Sequence, residues 1–210
     1  MLTEKEMLKK DHALHKNVML DIEDGRLILA SASPRRRELM EKLGAGFTVE
    51  VSEADESIPD DVQTEKTAEY LSGIKAEAVY NKHRNEGKII IGSDTIVVCD
   101  GEIFGKPADK DMARSMLKKL SGNTHEVLTG VTIISDTRRI SFTNTAKVVF
   151  NPMTDDEING YIETGEPMDK AGAYGIQGIG GLFVKGIAGD YYTVMGFPIS
   201  QIYNELKLFI

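Results

Sequence analysis

The stretch "LILASASPRRREL", Leu27–Leu39, decides the fold. Its apolar start reads as a buried strand over residues 26–31. Ser33 is a good N-cap and Pro34 suits the first helical position, so "RRRELMEKLG" reads as a helix closing at Gly44. A strand feeding straight into a helix is the opening of an α/β sheet, where ligands sit at strand ends beside the loops that enter helices. The helix start exposes unpaired N–H groups and carries partial positive charge, so it attracts anions. Arginines there are locally unfavourable, by about 0.3–1 kcal/mol each. Two readings account for them. They grip an anion such as phosphate, which guanidinium binds bidentately, or they form a solvated basic face paired with Glu38 and Glu41.

Working outward, "FTVEVSE" (47–53) alternates like a strand. Residues 64–84 place Ala68, Leu71, Ile74, Ala78 and Val79 at helical spacing. "KIIIGSDTIVVCDGEIFGKP" (88–107) reads as a long strand and a hairpin turning at Asp100-Gly101. A helix follows over 109–122, then strands at 124–136 and 140–150. Thr154 and Glu157 form a capping box that starts another helix. A glycine-rich segment fills 171–190, "YYTVMG" (191–196) reads as strand, and "PISQIYNELKLF" is a final helix. The fold class expected is α/β, a mixed twisted sheet flanked by helices. One domain spans 26–210, behind a charged N-terminal extension over 1–25 in which Thr3 and Glu6 suggest a capped helix.

The chain has 210 residues, 41% hydrophobic and 28% charged, enough for one substantial core. No run of 18 apolar residues occurs, so no membrane-spanning helix is expected. The mixed-charge N-terminus does not read as a secretory signal. A single cysteine, Cys99, excludes an intrachain disulfide and reads as a buried filler, and a cytoplasmic location follows as the simplest expectation. The formal net charge of −8 argues against a broad nucleic-acid surface while permitting a local anion site.

Asp94 lies inside the apolar run "IIIGSDTIVV", so its carboxylate is paired, hydrogen-bonded or metal-bound, unless it faces solvent. Glu53, Asp55 and Glu56 follow a strand, where loops supply oxygen ligands to hard cations such as Mg²⁺ or remain simply solvated. Lys106 alone reads as a surface lysine. "DKAGAYGIQGIGG" (169–181) clusters small residues around Tyr174 and Gln177, which fits close backbone approach to a ligand or a tight loop. The amide of Gln177 is suited to a base edge. His125 lacks an obvious partner and reads as structural.

Taken in order, "LASASPRRREL", "GSDTIVVCDGEIFGKP", "LSGNTHEVLTGV" and the segment 166–198 resemble the Maf family of nucleoside triphosphate pyrophosphatases over residues 26–208. The resemblance implies two lobes around a central cleft, as in the inosine triphosphate pyrophosphatase group. It also implies hydrolysis of a nucleoside triphosphate to the monophosphate and pyrophosphate with a divalent cation, most simply Mg²⁺, with Mn²⁺ as the alternative. By motif, Asp94 corresponds to the proton acceptor and, with Glu56, to the metal ligands. Arg35 and Arg36 correspond to the phosphate-holding arginines, and Ser33, Lys75 and Lys106 to further substrate-binding residues. Arg35, Thr95 and Gln177 follow the pattern of the branch acting on dTTP and UTP. Ser93 departs from it, since alanine is more usual there. The expected partner is the nucleotide, with no nucleic acid and no membrane, and a homodimer is left open. The alternatives are a non-catalytic nucleotide-binding regulator of cell division and an inosine triphosphate pyrophosphatase-like house-cleaning enzyme.

Overall fold

The computed structural model describes residues 20–210, so the capping box at Thr3 and Glu6 lies outside the described residues. Strand β1 (Leu27–Leu29) leads into helix α1 (Pro34–Glu41), whose Ser33 side chain accepts from the Arg36 N–H. Strand β2 (Phe47–Val49) and helix α2 (Thr64–Tyr80) follow, then the long β3 (Ile89–Cys99) and its hairpin partner β4 (Glu102–Phe104). Asp100 and Gly101 both take positive φ, 51° and 78°, the backbone a two-residue hairpin turn requires. Helix α3 (Lys110–Leu120) precedes the paired strands β5 (Thr124–Ile134) and β6 (Arg139–Phe150). Helix α4 (Asp155–Glu163) starts with the expected capping box, and short 3₁₀ turns connect it to β7 (Val184–Ala188). Helices α5 (Tyr191–Met195) and α6 (Ile199–Leu206) close the chain.

The seven strands form one mixed sheet in the order β2-β1-β3-β5-β6-β7, with β4 on the edge of β3. β1 runs parallel to β2 and β3, and the remaining pairs are antiparallel. Side chains alternate across β3, and each face is covered differently. On the even face Ile90 and Ile96 meet α2 through Ala68, Ala76 and Val79. On the odd face two separate cores form. Ile89 and Ile91 pack with α1 and α6, while Val97 and Cys99 pack with α3 and α4. Leu20 and Ile22, at the end of the charged lead-in, are buried in the first of these cores. Cys99 is buried and free, as a filler should be.

Two elements differ from the sequence reading, one being strand β7, which lies inside the segment read only as glycine-rich. "YYTVMG" is helix, although aromatic and β-branched residues favour strand. Asp190 accepts from the N–H groups of Tyr192 and Thr193, and Gly196 closes the turn at φ 94°. Two caps within seven residues outweigh the local propensity. Among the described residues no helix is long and apolar enough to cross a membrane.

Candidate active site

The sheet itself opens the site. On one edge of β3, β1 pairs with residues 89–91 and β4 with residues 97–99, while the other edge is paired with β5 without a break from residue 90 to 98. Residues 92–96 therefore have no strand beside them on that edge, among the described residues. Asp94 stands in the middle of this gap. The expectation of a site at strand ends holds for the β1–α1 junction but not here, because β3 runs on past the end of the three-residue β1.

Strand alternation sends neighbouring side chains in opposite directions. Asp94 faces α2, where its Oδ1 accepts from Lys75 Nζ at 2.5 Å. The same ammonium lies 2.9 Å from Glu56 Oε2. Lys75 and Asp94 are mostly buried, whereas Glu56 is exposed on its loop. Thr95 faces the other way and accepts from Arg36 Nη2 at 3.1 Å. Arg36 also donates to the Gly196 carbonyl at 3.0 Å and to Ser31 Oγ at 3.3 Å. Burial works to lower the Arg36 pKa, and the Asp94 carboxylate opposes that shift. Thr95 is tied in turn to Thr129, whose hydroxyl donates to the Thr193 carbonyl of α5.

The helix α2 reaches this position because two glycines lie beneath it. A Cβ on Gly92 would sit 2.3 Å from the Ser72 carbonyl oxygen, and one on Gly130 would sit 2.1 Å from the Ala68 carbonyl. A glycine inside an apolar strand signals such close approach. "IIIGSDT" and "LTGVT" both carried that signal, and the sequence reading passed over it.

Ser33, Arg35, Arg36, Glu56, Lys75, Asp94, Thr95, Lys106 and Gln177 all line one cavity of about 540 Å³. Lys106 has no ion-pair partner among the described residues. Of the acidic trio only Glu56 reaches the cavity. Glu53 lies 3.9 Å from Lys82, and Asp55 accepts from the N–H and hydroxyl of Ser57. The arginines divide between the two readings. Arg37 faces Glu41 on the surface, while Arg35 and Arg36 turn into the cavity. Sequence reasoning missed Asp169 and Lys170, which also line it. The lining holds five cations, Arg35, Arg36, Lys75, Lys106 and Lys170, against three carboxylates, Glu56, Asp94 and Asp169. An acidic protein thus presents an excess of positive charge where it is hollow, which draws in anions.

Gln177 sits on a loop pinned by Glu166. That carboxylate accepts from the N–H groups of Ile179 and Gly180 and from the Tyr161 hydroxyl. His125 does not line this cavity. It is buried, its Nε2 lies 2.9 Å from the Tyr174 hydroxyl, and burial lowers its pKa to about 4.

Known proteins resemble this chain over most of its length. A protein of Halalkalibacterium halodurans named dTTP/UTP pyrophosphatase is 47% identical over 182 residues, 87% of this chain and 95% of that protein. One of the same name from Bacillus pumilus is 46% identical over 184 residues, 88% of this chain and 96% of that protein. The solved structure of the Staphylococcus aureus Ham1 protein covers 86% of this chain and 97% of that one at 14% identity, with a TM-score of 0.48, too loose a likeness to argue from. The family model described as Maf-like protein matches residues 26–209, a span that contains every strand and every residue of the cavity, and the chain belongs to that family.

Proposed function

We propose that the chain hydrolyses nucleoside triphosphates, dTTP and UTP before others, to the monophosphate and pyrophosphate. The observation that carries this is the gap in the β3 ladder. It puts the Asp94 carboxylate into the same cavity as Arg35, Arg36 and the N-terminus of α1. The relatives named dTTP/UTP pyrophosphatase support the same activity and base preference.

The donor set bears on the cation. Glu56 and Asp94 converge on one positive point, the Lys75 ammonium, so the two carboxylates are already arranged around a cation. No group of three or more His, Cys, Asp or Glu forms a cage among the described residues. Mg²⁺ characteristically takes one or two carboxylates and completes its shell with water and substrate phosphates, so these residues fit it. Glu56 and Asp94 would hold the ion, and when bound it offsets charge on the phosphate oxygens.

Arg35 and Arg36 bind the phosphates at the helix tip, with Lys75 and Lys106 adding positive charge. Among the described residues Asp94 Oδ2 has no hydrogen-bond donor, and it is the atom left to orient a water and take its proton as the water attacks the α-phosphorus. Pyrophosphate leaves. Gln177 and Arg35 bear on base choice, and Thr95 bears on it through Arg36, because its hydroxyl is already engaged there.

Pyrophosphate release is measured across canonical and modified triphosphates, with dTTP and UTP expected fastest. The Asp94→Asn variant should retain nucleotide affinity and lose about 10²–10⁴-fold in turnover, the range for general-base help. Parental turnover by that variant would remove Asp94 from the chemistry, and no turnover by the parent chain would leave a non-catalytic nucleotide binder.

A further inference from the structure

The cavity holds a second charged cluster. Asp169 Oδ2 accepts from Arg35 Nη1 at 3.3 Å, and Oδ1 accepts from Lys170 Nζ at 2.6 Å. Lys170 also donates to the Glu166 carbonyl at 2.7 Å, and its side chain is only 15% exposed. Its methylenes lie against Gly175, where a Cβ would meet Lys170 Cε at 2.6 Å. Asp169 lines the cavity and is exposed. The cluster joins the two odd-face cores. Arg35 is carried by α1, which packs in the first, while the turn bearing Asp169 packs through Met168 on the second.

A carboxylate held between a guanidinium and an ammonium uses the same donors that recognise phosphate. We propose that Arg35 and Lys170 form an anion subsite for the outer phosphates of the substrate, with the Asp169 carboxylate as an internal competitor that the entering phosphate displaces. This rests on the function proposed above for its ligand, and it adds Lys170 to the substrate-binding residues. Desolvation works to raise the Asp169 carboxyl, but Lys170 and Arg35 together outweigh it and hold the group below its ordinary range. Asp169 is therefore charged at neutral pH and competes as an anion. Displacing it also frees a contact between the two odd-face cores.

Inorganic pyrophosphate is titrated calorimetrically into the full chain and two variants. Asp169→Asn keeps the shape and removes the competing charge, so affinity should rise about two- to fivefold, the worth of an exposed ion pair. That gain should shrink at high salt. Lys170→Gln should lower affinity by a comparable factor. The proposal is overturned if Asp169→Asn binds pyrophosphate no tighter than the parent. A gain undiminished by salt overturns it too, since it would mark a change of loop shape. So does unchanged affinity in Lys170→Gln. Binding is read without turnover, so a parent chain that failed to hydrolyse dTTP would refute the proposed function and leave this subsite standing.

Discussion

Replacing Gly130 with alanine tests how the fold delivers Lys75 to Asp94. Gly130 pairs with Asp94 across β3 and β5, and α2 passes directly over it. A Cβ there would lie 2.1 Å from both the carbonyl carbon and oxygen of Ala68 and 2.3 Å from the Glu69 nitrogen, against about 3.4 Å for ordinary contact. The obstructing atoms are all backbone, so no side chain can swing away, and α2 must lift from the sheet by more than about 1 Å. Overpacking of a core costs about 1–3 kcal/mol, and a backbone-on-backbone clash belongs at the upper end. At about 2–4 °C per kcal/mol for a chain of this size, the melting temperature should fall by about 6–12 °C. The lifted helix carries Lys75 away from Asp94 and Glu56, and a displacement of about 1 Å at a reacting centre costs on the order of 100-fold in rate. Thermal melting and dTTP turnover read both effects. Gly160→Ala is the control, because Gly160 lies inside α4 with nothing within 4 Å of a built Cβ, and it should gain about 0.5–1 kcal/mol. A Gly130→Ala protein melting within 2 °C of the parent at full turnover would refute the close-approach reasoning.

Arg36→Lys should not rescue Arg36→Ala, since one ammonium cannot serve Ser31, Thr95 and Gly196 together. Both variants should lose about 2 kcal/mol or more of stability, along with nucleotide affinity, by denaturation and calorimetry. His125 holds its pKa near 4 in the fold against an ordinary 6.5. Between those values the unfolded chain binds a proton that the folded chain does not, so stability falls by about 3 kcal/mol as pH drops through that window. Urea titrations at several pH values should show a shallower acid loss in His125→Phe, and equal losses would exclude His125 as the cause. His83 shifts in the opposite direction, raised by its bond to Glu50 and then by Glu86. Its contribution is complete below about 6.5 and fades as pH rises through the higher folded value, so an NMR titration of its ring should give a pKa above 6.5. Glu166→Gln should weaken the hold on the Gln177 loop and narrow the gap in kcat/KM between dTTP and dCTP, while an unaltered ratio would mean that Glu166 does not position that loop.

Much of the local structure was legible because the caps are local. Ser33 with Pro34, Thr154 with Glu157, and Asp100-Gly101 each set an element boundary from within a few residues. The same logic was available for α5, where Asp190 and Gly196 bracket "YYTVM", but strand propensity hid it. The arginine cluster pointed to an anion site before any geometry, the hydrolase reading came from the family resemblance, and all nine residues singled out for the site line the cavity. Lys75 came only from family resemblance, since a lysine in a helix carries no local sign of its partners.

By itself, then, the sequence determined the strand-to-helix opening, the mixed α/β class, the family, and an arginine cluster suited to an anion. Only the tertiary structure decided that Asp94 faces a gap rather than a neighbouring strand, because that depends on how far β1 and β4 each reach along β3. The joining of Asp169 to Arg35 is of the same kind, a pairing of residues 134 positions apart. Spacing along a chain encodes periodicity and caps, whereas pairing between distant segments is set by packing over the whole sheet.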